Sequence, residues 1–320
     1  MNHEELSANV RMWQERVGNA SAKWGGAEIC GVSKTIAPDI INMAWDAGIR
    51  TLGENRVQEV LAKIDQLDPR FDIHLIGQLQ TNKVKPIIDK VAMIQSLDRD
   101  SLALEISRRA EAIGRRLARW GIDSIFSSPM RRAMQTAQPA AELLGKEIIS
   151  VDFASEQHAW DELTLRHEDG SRTWAAHDPD MQKLFASSDV RSLGMRWYEH
   201  PAFADTNFKA GMERIARESR KFLASLGYEQ TEREGIYRAV RESDERAALF
   251  AHAGFGGAFM SHVLGIPYPQ YVHTFDLCHS SLTVIEFREK NGICIPRVLT
   301  MSNDAHLYCD NLPIRDRAKF

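Results

Sequence analysis

The sequence holds 320 residues, 43% hydrophobic and 26% charged, which fits two soluble globular domains or one large α/β unit. Its net charge of −4 gives no global positive field to attract nucleic acid or anionic lipid. The four cysteines, Cys30, Cys278, Cys294 and Cys309, form no C-x-x-C pair, so neither a disulfide framework nor a structural zinc site is expected.

From the N-terminus, residues 4–18 place Leu6, Val10, Trp13 and Val17 at helical spacing and predict an amphipathic helix. The segment has no apolar h-region, and nowhere does the chain reach the about 18 apolar residues of a membrane span. A cytoplasmic protein without membrane or nucleic-acid partners is therefore expected. A β-then-α rhythm follows. Strands are predicted at Glu28–Val32, Arg50–Leu52, Ile73–Ile76 and Val91–Gln95. Helices are predicted from Pro38 to Ala47, on to about Leu67, near Lys83–Ile88, and from Asp100 to Arg119. Such units build a parallel sheet with helices outside it, and polar residues collect at the strands' C-terminal ends.

After Trp120-Gly121 the pattern changes. Asp123–Ser127 reads as a strand, Ser128 onward as a turn opening a helix to Leu144, and Glu147–Phe153 as another strand. Residues 154–210 are rich in Trp, His, Asp and Ser with weak periodicity and read as an inserted lid. A helix is expected over 211–226. Ala247–Ala251 is an apolar strand running into His252 and a glycine-rich turn, with a helix to Leu264, and Ser281–Phe287 alternates like a late strand.

Lys34 directly follows the apolar run Ile29–Val32. Most lysines at strand ends are solvated, but one at the mouth of a parallel strand can be partly desolvated, which frees its amine to attack an aldehyde. The segments GVSKT, TLGENRVQEVLAKI and DIHLIGQLQTNKVKPIIDKVAMIQSLDR occur in the order of the pyridoxal-phosphate (PLP) homeostasis family, also described as an alanine-racemase N-terminal-like barrel. Residues 5–110 resemble that family. The resemblance implies pyridoxal 5′-phosphate as cofactor, held covalently on Lys34, with Asn55, His74 and Asn82 around the pocket mouth. Strand-end capping is an equal reading for His74 and Asn82. The family's second half-barrel, whose serine- and glycine-rich loops hold the cofactor phosphate, has no match here.

A second constellation lies farther on. Ser127-Ser128-Pro129-Met130-Arg131-Arg132 sits at a strand-to-helix turn, where backbone N–H groups and an arginine suit an anion. His252 ends a strand before Ala253–Gly257, where glycines permit close approach of backbone to phosphate. The stretches SSPMRRAMQTA and FAHAGFG resemble motifs of the histidine phosphatase superfamily, also called phosphoglycerate-mutase-like, over residues 108–320. The resemblance implies Arg132 as the pocket arginine, His252 as the second histidine, and Glu156 or Glu162 as the proton donor. Enzymes of that type begin with a strand ending in Arg-His-Gly, whose histidine attacks phosphorus. The 320 residues contain no Arg-His-Gly; the only Arg-His is Arg166-His167. The unit Val91–Gln95 with its following helix is placed to dock where that strand would sit, but Gln95, Ser96, Leu97 and Asp98 at its end include no histidine.

The expected architecture is α/β throughout: a partial (β/α) barrel over 1–110, then a three-layer α/β sheet of histidine-phosphatase type over 111–320, with 154–210 as its lid. Small phosphorylated molecules are the expected partners. Three functions compete: a PLP-binding module fused to a phosphate-binding domain with little activity, a phosphomonoester hydrolase, or a recombined product of two genes. His273, His279 and His306 are expected to be structural, since no two share ligand spacing.

Overall fold

A computed structural model describes residues 3–22, 26–84, 86–88, 90–98, 100–167, 172–241, 243–278, 280–310 and 312, with the backbone alone for 100–107. His279 lies outside the described residues. The chain divides into two compact units, Met1–Ser107 with Arg166–Thr173, and Arg108–Leu165 with Trp174–Phe320.

The first unit runs α1 (His3–Ser21), β1 (Cys30–Val32), α2 (Pro38–Asp46), β2 (Thr51–Glu54), α3 (Val57–Lys63), β3 (Asp72–Leu75) and β4 (Met93–Ile94), then enters α4 (Asp100–Trp120), within which the division falls. The four strands pair in parallel in chain order, with Gly31 opposite Leu52, Leu52 opposite Ile73, and Leu75 opposite Ile94. Side chains alternate across a strand, and one set, Leu52, Ile73 and Leu75, is buried against Ile41 of α2 and Val57 and Val60 of α3. Leu6 and Val10 of α1 join this core, whereas Trp13 is exposed, with Arg16 over its ring at 5.0 Å. The helix predicted over Lys83–Ile88 does not form. A 3₁₀ turn, Thr81–Lys83, and turns at 86–88 take its place, since Pro86 lacks the amide a continuing helix uses.

After α4 the chain continues with β5 (Ser124–Ser127), α5 (Arg131–Leu144), β6 (Ile148–Ser150), α6 (Glu156–Leu163), β7 (Thr164–Arg166), β8 (Arg172–Trp174), α7 (Pro179–Ala186), α8 (Ser188–Ser192), α9 (Phe208–Ser225), β9 (Tyr228–Gln230), β10 (Tyr237–Ala239), β11 (Ala247–Phe250), α10 (Ala253–Leu264), α11 (Tyr268–Thr274), β12 (Leu282–Lys290), β13 (Ile293–Asn303) and α12 (Ala305–Cys309). A parallel sheet has the order β11-β5-β6, and a separate sheet has the order β12-β13-β10-β9. In place of the single sheet expected over 121–320, the described residues form these two and a two-stranded pair, β7-β8. β4 stays with β3; it does not join β5, whose two edges are taken by β11 and β6. On one face of the parallel sheet, Ile125 and Phe250 meet Ile113 and Leu117 of α4 and three alanines of α5, Ala137, Ala140 and Ala141. A Cβ at Gly114 would lie 3.1 Å from the Pro139–Ala140 backbone, so glycine lets these helices lie close. On the other face Phe126 meets Phe222 of α9 edge-on at 5.0 Å.

The described residues of 154–210 form short helices around an aromatic core, with the β7–β8 pair among them. Phe185, Trp197, Phe203 and Phe208 are buried together with Phe255 and Tyr268, and Trp197 stacks on Tyr268 at 5.7 Å. The weak periodicity reflects helices of five to eight residues joined by 3₁₀ turns.

Candidate functional site

The site of the second unit is set by strand pairing. Ser127 of β5 stands opposite Phe250 of β11, and the amide of Ser128 donates to the Phe250 carbonyl at 2.9 Å. The two chains therefore leave the sheet side by side. Ser128 Oγ accepts from the Met130 amide at 3.2 Å, a local turn that starts α5. Arg132, at the second position of α5, reaches across, and its Nε–H donates to His252 Nδ1 at 3.1 Å. Arginine has no acceptor, so Nδ1 supplies the lone pair and the ring proton sits on Nε2, which lies 2.8 Å from Ser128 Oγ and donates to it. Burial, and then the Arg132 charge, push the imidazole well below its ordinary range, so it is neutral at pH 7.

The glycine-rich turn is used differently from the expectation. The α10 amides of Gly254 and Phe255 point at the Glu156 carboxylate, at 2.9 and 3.4 Å. A Cβ on Gly254 would meet the Trp174 ring at 2.5 Å and Glu156 Oε1 at 2.6 Å. These glycine contacts thus admit a carboxylate and an indole of the chain itself. Glu156 is buried; its carboxyl is raised by burial, against the Arg132 charge and the two amide donors. Glu162 is elsewhere: it holds Arg214 of α9 in a two-bond ion pair at 2.6 and 2.7 Å. The structure brings Arg132, His252 and Glu156 together and leaves Glu162 out. Trp174 was invisible to sequence reasoning, because only the fold brings it onto α10.

In the first unit, Lys34 follows β1 in a turn and is exposed, as most strand-end lysines are. Asn55 is half-buried just past β2. His74 is buried on β3, and its Nδ1 lies 2.9 Å from Gln95 Nε2. Asn82 is exposed on the 3₁₀ turn. Beneath Lys34 lies a buried network that the strand-end reading missed. Lys63 Nζ is 2.7 Å from Glu54 Oε1 and donates to the Ser33 carbonyl at 2.8 Å, while the Ser33 hydroxyl donates to Glu54 Oε1 at 2.6 Å. Its signal was a lysine at apolar helical spacing, Val57, Val60, Lys63. Elsewhere, His306 is buried, with Nδ1 3.2 Å from Arg116 Nη1, and His273 is exposed beside the Phe185 ring at 6.0 Å. Among the described residues no three His, Cys, Asp or Glu side chains group as a metal site, and no helix is long and apolar enough to cross a membrane.

Comparison with known proteins finds two separate similarities along the chain. The N-terminal hundred residues are similar to pyridoxal phosphate homeostasis proteins. The protein of that description from Aquifex aeolicus is 46% identical over 101 residues, 30% of this chain and 44% of that protein. The Helicobacter pylori one is 34% identical over 102 residues, 31% and 46%. The chain spans less than half the length of either. The histidine phosphatase superfamily (branch 1) matches residues 103–200. Among solved structures, a phosphoserine phosphatase mutant from Entamoeba histolytica in complex with phosphoserine is 17% identical, with TM-score 0.42 over 63% of this chain and 84% of that one. A mycobacterial glucosyl-3-phosphoglycerate phosphatase complexed with VO3 is 18% identical, with TM-score 0.39 over 62% and 86%. The chain joins a region similar to PLP homeostasis proteins to one that matches the histidine phosphatase superfamily over residues 103–200.

Proposed function

We propose that this chain binds two kinds of phosphorylated small molecule and turns over neither efficiently. The first unit attaches pyridoxal 5′-phosphate at Lys34. The second holds the phosphate of a phosphomonoester beside Arg132 and His252.

The observation that carries the second assignment is the hydrogen-bond chain Arg132–His252–Ser128 at the start of α5. An incoming phosphate oxygen can accept from the Nη groups of Arg132 while its Nε–H stays on Nδ1, and the helix start adds amide donors. A nucleophile is another matter. With Nδ1 engaged by Arg132 and Nε2 protonated, His252 has no free lone pair to attack phosphorus. The Arg-His-Gly strand of related enzymes has no counterpart in the sequence, and losing a nucleophile costs several orders of magnitude in rate. The hydrolase reading draws on Glu156, whose raised carboxyl suits a proton donor.

For the cofactor, the residues fit at one end. Lys34 is exposed at the strand mouth, with Asn55 and the His74–Gln95 pair at the ends of the neighbouring strands. When bound, PLP supplies an electrophilic carbonyl for the lysine amine. Asn55 and His74 line the approach. No stretch of the sequence matches the loops that would grip the phosphate, so weak affinity is expected.

The test adds PLP to the purified chain, records visible absorption, reduces with borohydride and maps the modified peptide. One stoichiometric label on Lys34, lost in Lys34→Ala and removed by dialysis before reduction, is expected. A label that survives in Lys34→Ala contradicts the assignment.

A further inference from the structure

The four-stranded sheet of the first unit packs its helices against one face, and on the other face its outer residues are exposed. Ile29, Leu52, Ile73, Leu75 and Ile94 pack into the helix-side core. The alternate residues on the other face, Val32, Thr51, His74 and Met93, are outside it. At the centre of this face Thr51 and His74 are buried, at 5% and 7% exposure; at its edges Val32 and Met93 are 52% and 37% exposed. Apolar exposure rises outward, toward the places where further strands would stand.

The sheet edges themselves are undefended. Among the described residues no strand pairs with the outer edge of β1 or of β4. Free edges are ordinarily protected by charge or proline; Ile29–Val32 and Val91–Ile94 contain neither. Parallel strands with helices on one face only reach a stable form when the other face is covered as well, and an eight-stranded closure does this. After β4 the chain leaves for β5 of another sheet, and among the described residues it supplies no further strand to this one.

We infer that a second copy of this chain supplies them, two open four-stranded sheets closing into one eight-stranded barrel. A two-fold axis along the strands sets β4 of one copy parallel to β1 of the other, and the same at the opposite seam. Both unpaired edges of both copies are then satisfied by one self-complementary contact. The seam residues are uncharged, so no like charges meet. The closed barrel covers Val32 and Met93, and Lys34 of each copy faces a mouth lined by eight strand ends instead of four. This inference does not depend on what the second unit binds.

The experiment uses the full chain in sedimentation equilibrium, without PLP. A dimer is expected for the native protein. Val32→Lys and Met93→Glu each place a charge at both seams of a homodimer, and each alone is expected to weaken dimerisation more than tenfold. Far-UV circular dichroism checks that both variants fold. In their mixture, one seam of the heterodimer pairs Lys with Glu, side by side on adjacent strands, and the other is native. The mixture is therefore expected to regain the dimer. A monomeric native chain, a dimer that persists in both variants, or folded variants whose mixture stays monomeric would overturn the inference.

Discussion

Arg132 and His252 hold each other: the guanidinium Nε–H donates to Nδ1 of the imidazole at 3.1 Å, which fixes the ring proton on Nε2. Two residues 120 positions apart in the sequence thus decide which lone pair is available, and neither ring nitrogen is left free to attack an electrophile.

The same contact sets a pH dependence. Burial and Arg132 lower the folded-state pKa of His252. As pH falls below an unfolded value of about 6.5, the unfolded chain takes up a proton that the folded chain refuses, so stability falls with acidity from there down to the folded pKa. His262, held at about 4 by burial, adds to the same slope. Chemical denaturation at a series of pH values is expected to show a shallower acid limb in His252→Gln. An unchanged limb contradicts the neutral-histidine reading.

Glu156 works in the opposite direction. Its folded-state pKa is raised, so as pH rises through about 4.3 the unfolded carboxyl ionises first, and stability is lost up to the folded pKa. Above that window the folded chain carries a buried carboxylate. Glu156→Gln keeps an acceptor for the Gly254 amide without the charge, and its stability at pH 7 is expected to match or exceed that of the native chain. Glu156→Ala strands the α10 amides and is expected to cost about 1–2 kcal/mol. Thermal melts of the pair distinguish the capping role from a purely catalytic one, which would leave both melts unchanged.

The buried pair Lys63–Glu54 predicts a non-additive pattern. Lys63→Met or Glu54→Leu alone leaves a lone buried charge and is expected to destabilise the first unit by about 3–5 kcal/mol. The double variant removes both charges and is expected to recover most of that loss. Additive losses in a double-mutant cycle would show that the two side chains do not act as a pair.

Much of this arrangement was legible in the sequence, where local pattern decides it. The strands that end in Ser127 and Phe250 are short apolar runs before turn residues, and their pairing follows from parallel α/β chemistry. Choosing between Glu156 and Glu162 was out of reach. They lie six positions apart on one helix, and only the contacts with α10 and α9 separate them. Hairpin β12–β13 was half seen, although Asn291-Gly292, both at positive φ (57° and 78°), is a strong two-residue turn signal. Pro296 and the exposed Ile293, Ile295 and Leu299 obscured the second strand. The division of these strands into separate sheets has no local signal, since strand order is a tertiary property.

The second unit is proposed to bind phosphate at Arg132 and His252 without an effective nucleophile. The direct measurement is hydrolysis of an aryl phosphate by the purified chain, with acid-labile phosphohistidine trapped and mapped, alongside inorganic phosphate binding by calorimetry. Phosphate binding that is lost in Arg132→Ala, with turnover orders of magnitude below that of an ordinary phosphatase and no trapped phosphohistidine, is the predicted result. Turnover at an ordinary phosphatase rate, abolished in His252→Ala and accompanied by label on His252, would contradict it.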